Sequence, residues 1–295
     1  GCTAINTTAA SGVCKGLYDF DVRQGDRKMM AQFGTVLYKM ENLDGTLDSF
    51  QTGLPTDDLA FTELNKILVF KSWTPGYAYY WDGITAASTA IIQFPMKGVN
   101  LIQWNQHIFY FTMDSEQNKL KYSTYNSYLL YNPANYYYTN DGAPLTALET
   151  VRGRLVMFKA NGIDRAAYLG GLPLLEVKNV VNGVGTTARR AIKKAHTKQF
   201  GEVLFFPTSN NQIVMFNGAE IKFISEPIDA PNDESPFELG NMRDAVAVVD
   251  PKKGWQGFDE YIARMFVQVG GFQILCSTCH DAKTKKENKV RKEHR

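Results

Sequence analysis

Phe61-Thr-Glu-Leu64-Asn-Lys-Ile-Leu68-Val-Phe70 reads as a strand, a tight turn and a second, more apolar strand. Four further stretches repeat the phrase: Met30-Ala-Gln-Phe33-Gly-Thr-Val-Leu37-Tyr38, Leu101-Ile-Gln-Trp104-Asn-Gln-His-Ile108-Phe-Tyr-Phe111, Leu148-Glu-Thr-Val151-Arg-Gly-Arg-Leu155-Val-Met-Phe158 and, with Thr197 in the first apolar place, Thr197-Lys-Gln-Phe200-Gly-Glu-Val-Leu204-Phe-Phe206. Each sets a bulky residue three positions after the first, then a turn, then a Leu or Ile that opens an aromatic-rich run. A β-unit this small cannot bury its apolar face alone, so the units must stack side by side or close into a ring. The class expected is all-β, and within it a β-propeller of repeated antiparallel hairpins.

The second half of each unit also recurs. Tyr79-Tyr80-Trp81-Asp82-Gly83, Lys121-Tyr122-Ser123, Ala167-Tyr168-Leu169-Gly170-Gly171 and Met215-Phe216-Asn217-Gly218 are strands, most ending at a Gly-containing turn. Asp-Gly and Asn-Gly tolerate the positive φ of hairpin turns. With Leu37, Leu68, Ile108, Leu155 and Leu204 as equivalent points, the spacings are 31, 40, 47 and 49 residues. Propeller blades of four strands run about 40–50 residues. A sixth hairpin is expected at Met265–Leu275, an irregular insertion at Tyr125–Asp141 and a long excursion at Pro227–Pro251. Thr187–Lys198, crowded with Arg189, Arg190, Lys193 and Lys194, reads either as the one candidate helix or as a basic strand or loop.

Length and composition agree with one large domain over residues 1–282. Hydrophobic content of 44% and aromatic content of 13% exclude general disorder and favour strands that pack flat rings across neighbours. The last thirteen residues, Lys283–Arg295, hold seven basic and two acidic side chains, so the first 282 sum to −3 against +2 for the whole. The body is mildly acidic, and the tail is expected to be a disordered, solvated terminus. No run approaches the roughly 18 apolar residues of a membrane span. Four cysteines, Cys2, Cys14, Cys276 and Cys279, are too sparse for a disulfide scaffold and suit a reducing cytoplasm.

Chemical motifs are few. Cys276-Ser-Thr-Cys279-His280 matches the attachment sequence of c-type haem, in which both thiols form thioethers and His280 would ligate iron. Only fifteen residues follow, ten of them charged, with no Met and only His294 as a further late ligand. A zinc half-site would need a second pair, and Cys2 and Cys14 lack the spacing. His107 and His196 have no accompanying Ser, Cys or carboxylate pattern and read as structural. The expectation is therefore no enzyme, no catalytic, cofactor-binding or metal residues and no cofactor, with inward strands whose Leu, Val, Phe and Met fill the centre and leave no cluster of shifted titratable groups there.

The order of the motifs adds a resemblance. Gly16-Leu-Tyr-Asp-Phe20, Gly34-Thr-Val-Leu-Tyr38, Thr52-Gly-Leu54, Leu64-Asn-Lys-Ile-Leu-Val-Phe70, Tyr80-Trp-Asp-Gly83, Val151-Arg-Gly-Arg-Leu155, Val203-Leu-Phe-Phe206, Val214-Met-Phe-Asn-Gly218 and Ile224-Ser-Glu-Pro-Ile228 follow one another as in the β-propeller structural proteins of tailed bacteriophages. Over Lys15 to Asp229 the chain resembles the tail tubular or nozzle proteins of short-tailed phages. The resemblance implies a virion component made in the host bacterial cytoplasm. It would form a ring of six below the portal and adaptor, neighbour tail fibre proteins, and touch DNA only transiently during ejection. It also implies that the chain, which opens at Gly1, lacks residues at its N-terminus. The alternatives are a propeller that binds a ligand without assembling, and a single-haem redox protein using Cys276, Cys279 and His280.

Overall fold

The computed structural model describes residues 14–22, 26–41, 47–73, 78–91, 100–112, 116–197, 199–208 and 212–224. Twenty strands lie in five sheets of four. Blade 1 holds β1 (Cys14–Asp21), β2 (Arg27–Phe33), β3 (Val36–Glu41) and β4 (Asp48–Gln51). Blade 2 holds β5 (Leu59–Leu64), β6 (Ile67–Ser72), β7 (Ala78–Trp81) and β8 (Thr89–Ile91). Blade 3 holds β9 (Asn100–Trp104), β10 (His107–Phe111), β11 (Lys119–Tyr122) and β12 (Tyr136–Tyr138). Blade 4 holds β13 (Leu145–Val151), β14 (Arg154–Lys159), β15 (Gly162–Tyr168) and β16 (Leu175–Asn182). Blade 5 holds β17 (Lys193–Thr197), β18 (Gly201–Pro207), β19 (Ile213–Phe216) and β20 (Ile221–Phe223).

Within each sheet the strands pair antiparallel in chain order. The first strands of blades 1 to 4 lie against one another in turn, β1 on β5, β5 on β9 and β9 on β13, and β13 meets β18 of blade 5. One cavity is lined by residues of β1, β5, β9, β13 and β17 together, so the blades stand in a ring around it. The described residues form an all-β, five-bladed propeller. Among the described residues no helix is long and apolar enough to cross a membrane.

The core lies in the seams between blades. Strand side chains alternate between two faces, so each sheet offers one apolar face to each neighbour. Phe20, Met30 and Leu37 of blade 1 meet Leu59, Leu68, Phe70 and Trp81 of blade 2. Leu64, Val69 and Ile91 meet Leu101, Ile108 and Tyr110. Trp104, Phe109 and Phe111 meet Leu148, Leu155 and Met157. Val156, Phe158 and Ile163 meet Leu204, Phe206 and Phe216. The expected equivalents Leu68, Ile108, Leu155 and Leu204 are all fully buried, each on the second strand of its blade and each packed on the preceding blade.

The hairpins joining first to second strands in blades 2, 3 and 4 turn on Asn65-Lys66, Asn105-Gln106 and Arg152-Gly153. All six residues have positive φ, between 45° and 69°. Such two-residue turns match the right-handed twist of the flanking strands. They also tie one rim together. The Lys66 ammonium pairs with Asp21 at 2.7 Å, Asn65 Nδ2 donates to Asn126 at 2.7 Å, Trp104 Nε1 donates to the Gly153 carbonyl at 3.1 Å, and Arg152 Nε donates to the Glu202 carbonyl at 3.2 Å.

Two expectations change. The first copy of the phrase is one strand out of step: Leu37 lies on the third strand of blade 1, not the second, and packs on the following blade. This explains the short spacing of 31 residues. Tyr136–Tyr138, placed at the centre of an insertion, is the outermost strand of blade 3, paired with β11. Of the two readings of the basic stretch, the described residues 187–197 take the strand-or-loop one: a single 3-10 turn at Arg189–Ala191 leads into β17. The sixth hairpin, the excursion at Pro227–Pro251 and the basic tail lie outside the described residues.

Candidate functional site

The axial cavity has a volume of about 530 Å³ and is partly open to solvent. Its walls follow from the topology. The first strand of each blade is hydrogen-bonded on one side only, so its free backbone edge faces the axis. The two-residue turns decide which groups lie on that edge. Leu64 and Ile67, Trp104 and His107, and Val151 and Arg154 close their hairpins as facing pairs. In antiparallel ladders hydrogen-bonded and non-hydrogen-bonded pairs alternate, so the backbone groups of Glu63, Gln103 and Thr150 point away from their partner strands. These three residues therefore stand at one level around the axis.

Carboxylates cap part of this open edge. Glu149 Oε1 accepts the Thr150 backbone N–H at 2.8 Å, and the Glu63 carboxylate accepts the backbone N–H of Asp21. Burial raises the Glu63 carboxyl above the usual range, against the lowering effect of Lys66. Burial, with the Glu63 charge nearby, pushes the Tyr18 phenol up to about 12. Tyr18 stacks on Phe61 with ring centroids 5.4 Å apart, which gives the cavity one flat apolar wall. Lys193, the first residue of β17, is half-buried. Burial lowers its ammonium, opposed by the Glu149 charge. At the edge of the cavity Arg189 sits 3.4 Å above the Trp73 ring and pairs with Asp58 at 2.7 Å, while Arg190 reaches the same carboxylate at 3.3 Å.

This modifies the expectation of a centre filled by Leu, Val, Phe and Met. Phe61, Leu101, Ile102, Leu148 and Ile192 do line the cavity, but they share it with Tyr18, Glu63, Gln103, Glu149, Thr150 and Lys193. Glu63 and Lys193 are shifted in opposite directions there, and no histidine lines the cavity. The signal for these residues was in the repeated phrase. Its third position is Gln32, Glu63, Gln103, Thr150 and Gln199, always polar in an otherwise largely apolar hairpin.

His107 is buried between blades 3 and 4. Its Nδ1 lies 2.8 Å from the Ser123 carbonyl oxygen, and the rings of Phe109, Tyr122, Tyr125 and Tyr168 surround it. His196 is exposed on β17, opposite Glu202. The structure does not bring the two together. Cys14 is a free thiol at the start of β1, its Sγ 3.4 Å from the Gly16 carbonyl oxygen. Among the described residues no group of His, Cys, Asp and Glu is placed to hold a metal ion. Cys2, Cys276, Cys279, His280 and His294 lie outside the described residues.

No family model matches the chain, and no curated protein matches it. Solved structures do. Raptor from Chaetomium thermophilum is similar with a TM-score of 0.47 and 12% identity over 69% of this chain, which spans only 19% of Raptor. BBS1N in complex with ARL6DN gives 0.49 and 12%, covering 72% of this chain and 67% of that one. BamB from Moraxella catarrhalis gives 0.46 and 9%, covering 74% and 63%. At such identities and scores these likenesses say nothing of activity.

Proposed function

We propose that this chain is a structural, non-enzymatic component of the tail of a short-tailed bacteriophage, built into the nozzle ring below the portal and adaptor. What carries the reading is the ordered motif series over Lys15 to Asp229. Blades tied through buried seams make a stiff block that exposes few sheet edges, which suits a part that must hold its shape while DNA passes. The propeller's own axis is not the conduit. A cavity of about 530 Å³ has the size of a small-molecule pocket and cannot admit a duplex. DNA would run through the lumen enclosed by several copies, brushing a mildly acidic body that does not hold phosphates. Ile84, Leu130, Leu169 and Leu172, at 74%, 51%, 54% and 100% exposure, supply apolar surface of the kind that contacts between copies would cover.

The test is assembly. Light scattering and negative-stain electron microscopy of the full chain, alone and with a purified portal–adaptor complex, should give closed rings of six. A particle that stays monomeric at high concentration and does not add to the adaptor would remove the reading and leave the non-assembling binding module in its place.

A further inference from the structure

We propose that the axial cavity binds a small molecule bearing an oxyanion, a phosphoryl or carboxylate group, with the Lys193 ammonium as its counter-charge. The inference goes beyond the tail reading and does not depend on it, since a single copy holds the whole site. It begins with charge balance. Glu63 has Lys66 at 3.8 Å, Glu149 has Lys194 at 3.6 Å and Arg189 has Asp58 at 2.7 Å. Among the described residues Lys193 alone of the charged lining makes no hydrogen bond and no ion pair within 4.0 Å; burial disfavours its charge, and Glu149 favours it only from farther off.

The neutral groups around it have the same character. Tyr18, Asn100 and Gln103 line the cavity, and their side chains make no hydrogen bond to any described residue. An ammonium, a phenol and two amides come from three different blades, 5, 1 and 3, and each can donate. Groups that donate are complemented by a ligand that accepts, and an oxyanion offers several acceptor oxygens and the opposite charge. The stacked Tyr18 and Phe61 rings leave a flat wall against which the rest of a small molecule can lie. The volume is in the range of ordinary ligand pockets, about 300–1,000 Å³.

The probes are sodium phosphate and sodium acetate, with sodium chloride at matched ionic strength as control. In the full chain, either oxyanion should slow reductive methylation of Lys193, read by peptide mass mapping. At a probe concentration about ten times its apparent Kd the slowing should be about tenfold. Lys194, which points to Thr150 at 2.6 Å, should be unaffected. Protection by phosphate alone identifies a phosphoryl ligand, and protection by acetate alone identifies a carboxylate. A saturable rise in Tm with the protecting anion should vanish in Lys193→Met and persist in Lys193→Arg. Equal methylation of Lys193 with oxyanion and with chloride would overturn the proposal, as would a Tm rise of the same size in Lys193→Met. The methylation readout uses the unaltered chain, so it stands even if a variant fails to fold.

Discussion

Lys71 is completely buried on β6, and burial brings its ammonium down to about 8. A lysine whose folded pKa lies below its unfolded value binds fewer protons in the native state between those two values. Stability therefore rises with pH across that window, from about 8 towards about 10.4, by at most about 1.4 kcal/mol per pH unit for one group. Lys193 is shifted the same way. The tyrosines act oppositely. Tyr18 is raised to about 12, and burial also raises Tyr110 and Tyr131, so above pH 10 the unfolded chain ionises phenols that the native state keeps neutral. The urea midpoint should climb between pH 8 and pH 10 and fall beyond it. In Lys71→Met the climb should shrink. A parent protein with a flat profile from pH 8 to pH 10 would show that Lys71 keeps its charge in the fold.

The hairpin is the unit in which this fold was legible. Strand, positive-φ turn and aromatic strand are local, so Asn65-Lys66, Asn105-Gln106 and Arg152-Gly153 could be read as turns from neighbours alone. The position of a hairpin within its blade is not local. The β2–β3 pair carries the same phrase as β5–β6, yet the innermost strand of blade 1 is β1, as its contact with β5 shows. Outer strands were hardest to see, because β8, β12 and β20 have three residues each and expose most of their side chains to some degree. Two substitutions test how tightly these elements fit. Leu155 is fully buried in the seam between blades 3 and 4, so Leu155→Ala should cost roughly 2–5 kcal/mol in chemical denaturation. A variant that melts like the parent would break the equivalence of the four buried positions. Gly185 follows β16 where the chain crosses the β14–β15 turn. A Cβ there would lie 2.0 Å from the Lys159 carbonyl oxygen and 2.7 Å from the Gly162 nitrogen. Backbone cannot swing aside as a side chain can, so Gly185→Ala should cost about 1–3 kcal/mol although it adds one methyl group. An unchanged Tm would mean that the 183–186 segment can shift freely off blade 4.

A ring of blades is held mainly by seams between sequence neighbours, so contacts that jump blades say most about how it closes. Asp58, just before β5, receives Arg189 at 2.7 Å and Arg190 at 3.3 Å from the segment that leads into blade 5. The Arg189 guanidinium also lies flat on Trp73, 3.4 Å from the ring centre. This junction spans 131 residues of sequence and bypasses blades 3 and 4. Nothing in Thr187–Lys198 announces it: a run of basic residues looks like a solvated stretch until the fold supplies Asp58 and Trp73 on the far side of the axis. The groups are partly shielded, at 16% and 25% exposure for Arg189 and Asp58, so the pair is worth more than a surface contact. Asp58→Asn keeps the shape and removes the charge, leaving two cations facing a neutral amide. We expect a loss of about 1.5–3 kcal/mol, the usual worth of a hydrogen bond to a charged group. We also expect the loss to be localised. Amide hydrogen exchange should quicken in β17, whose entry the junction fixes, before it changes in β13, which is anchored by seams on both faces. If β13 and β17 lost protection together, the junction would be a general contributor to stability. If neither changed, blade 5 would be held in the ring without it.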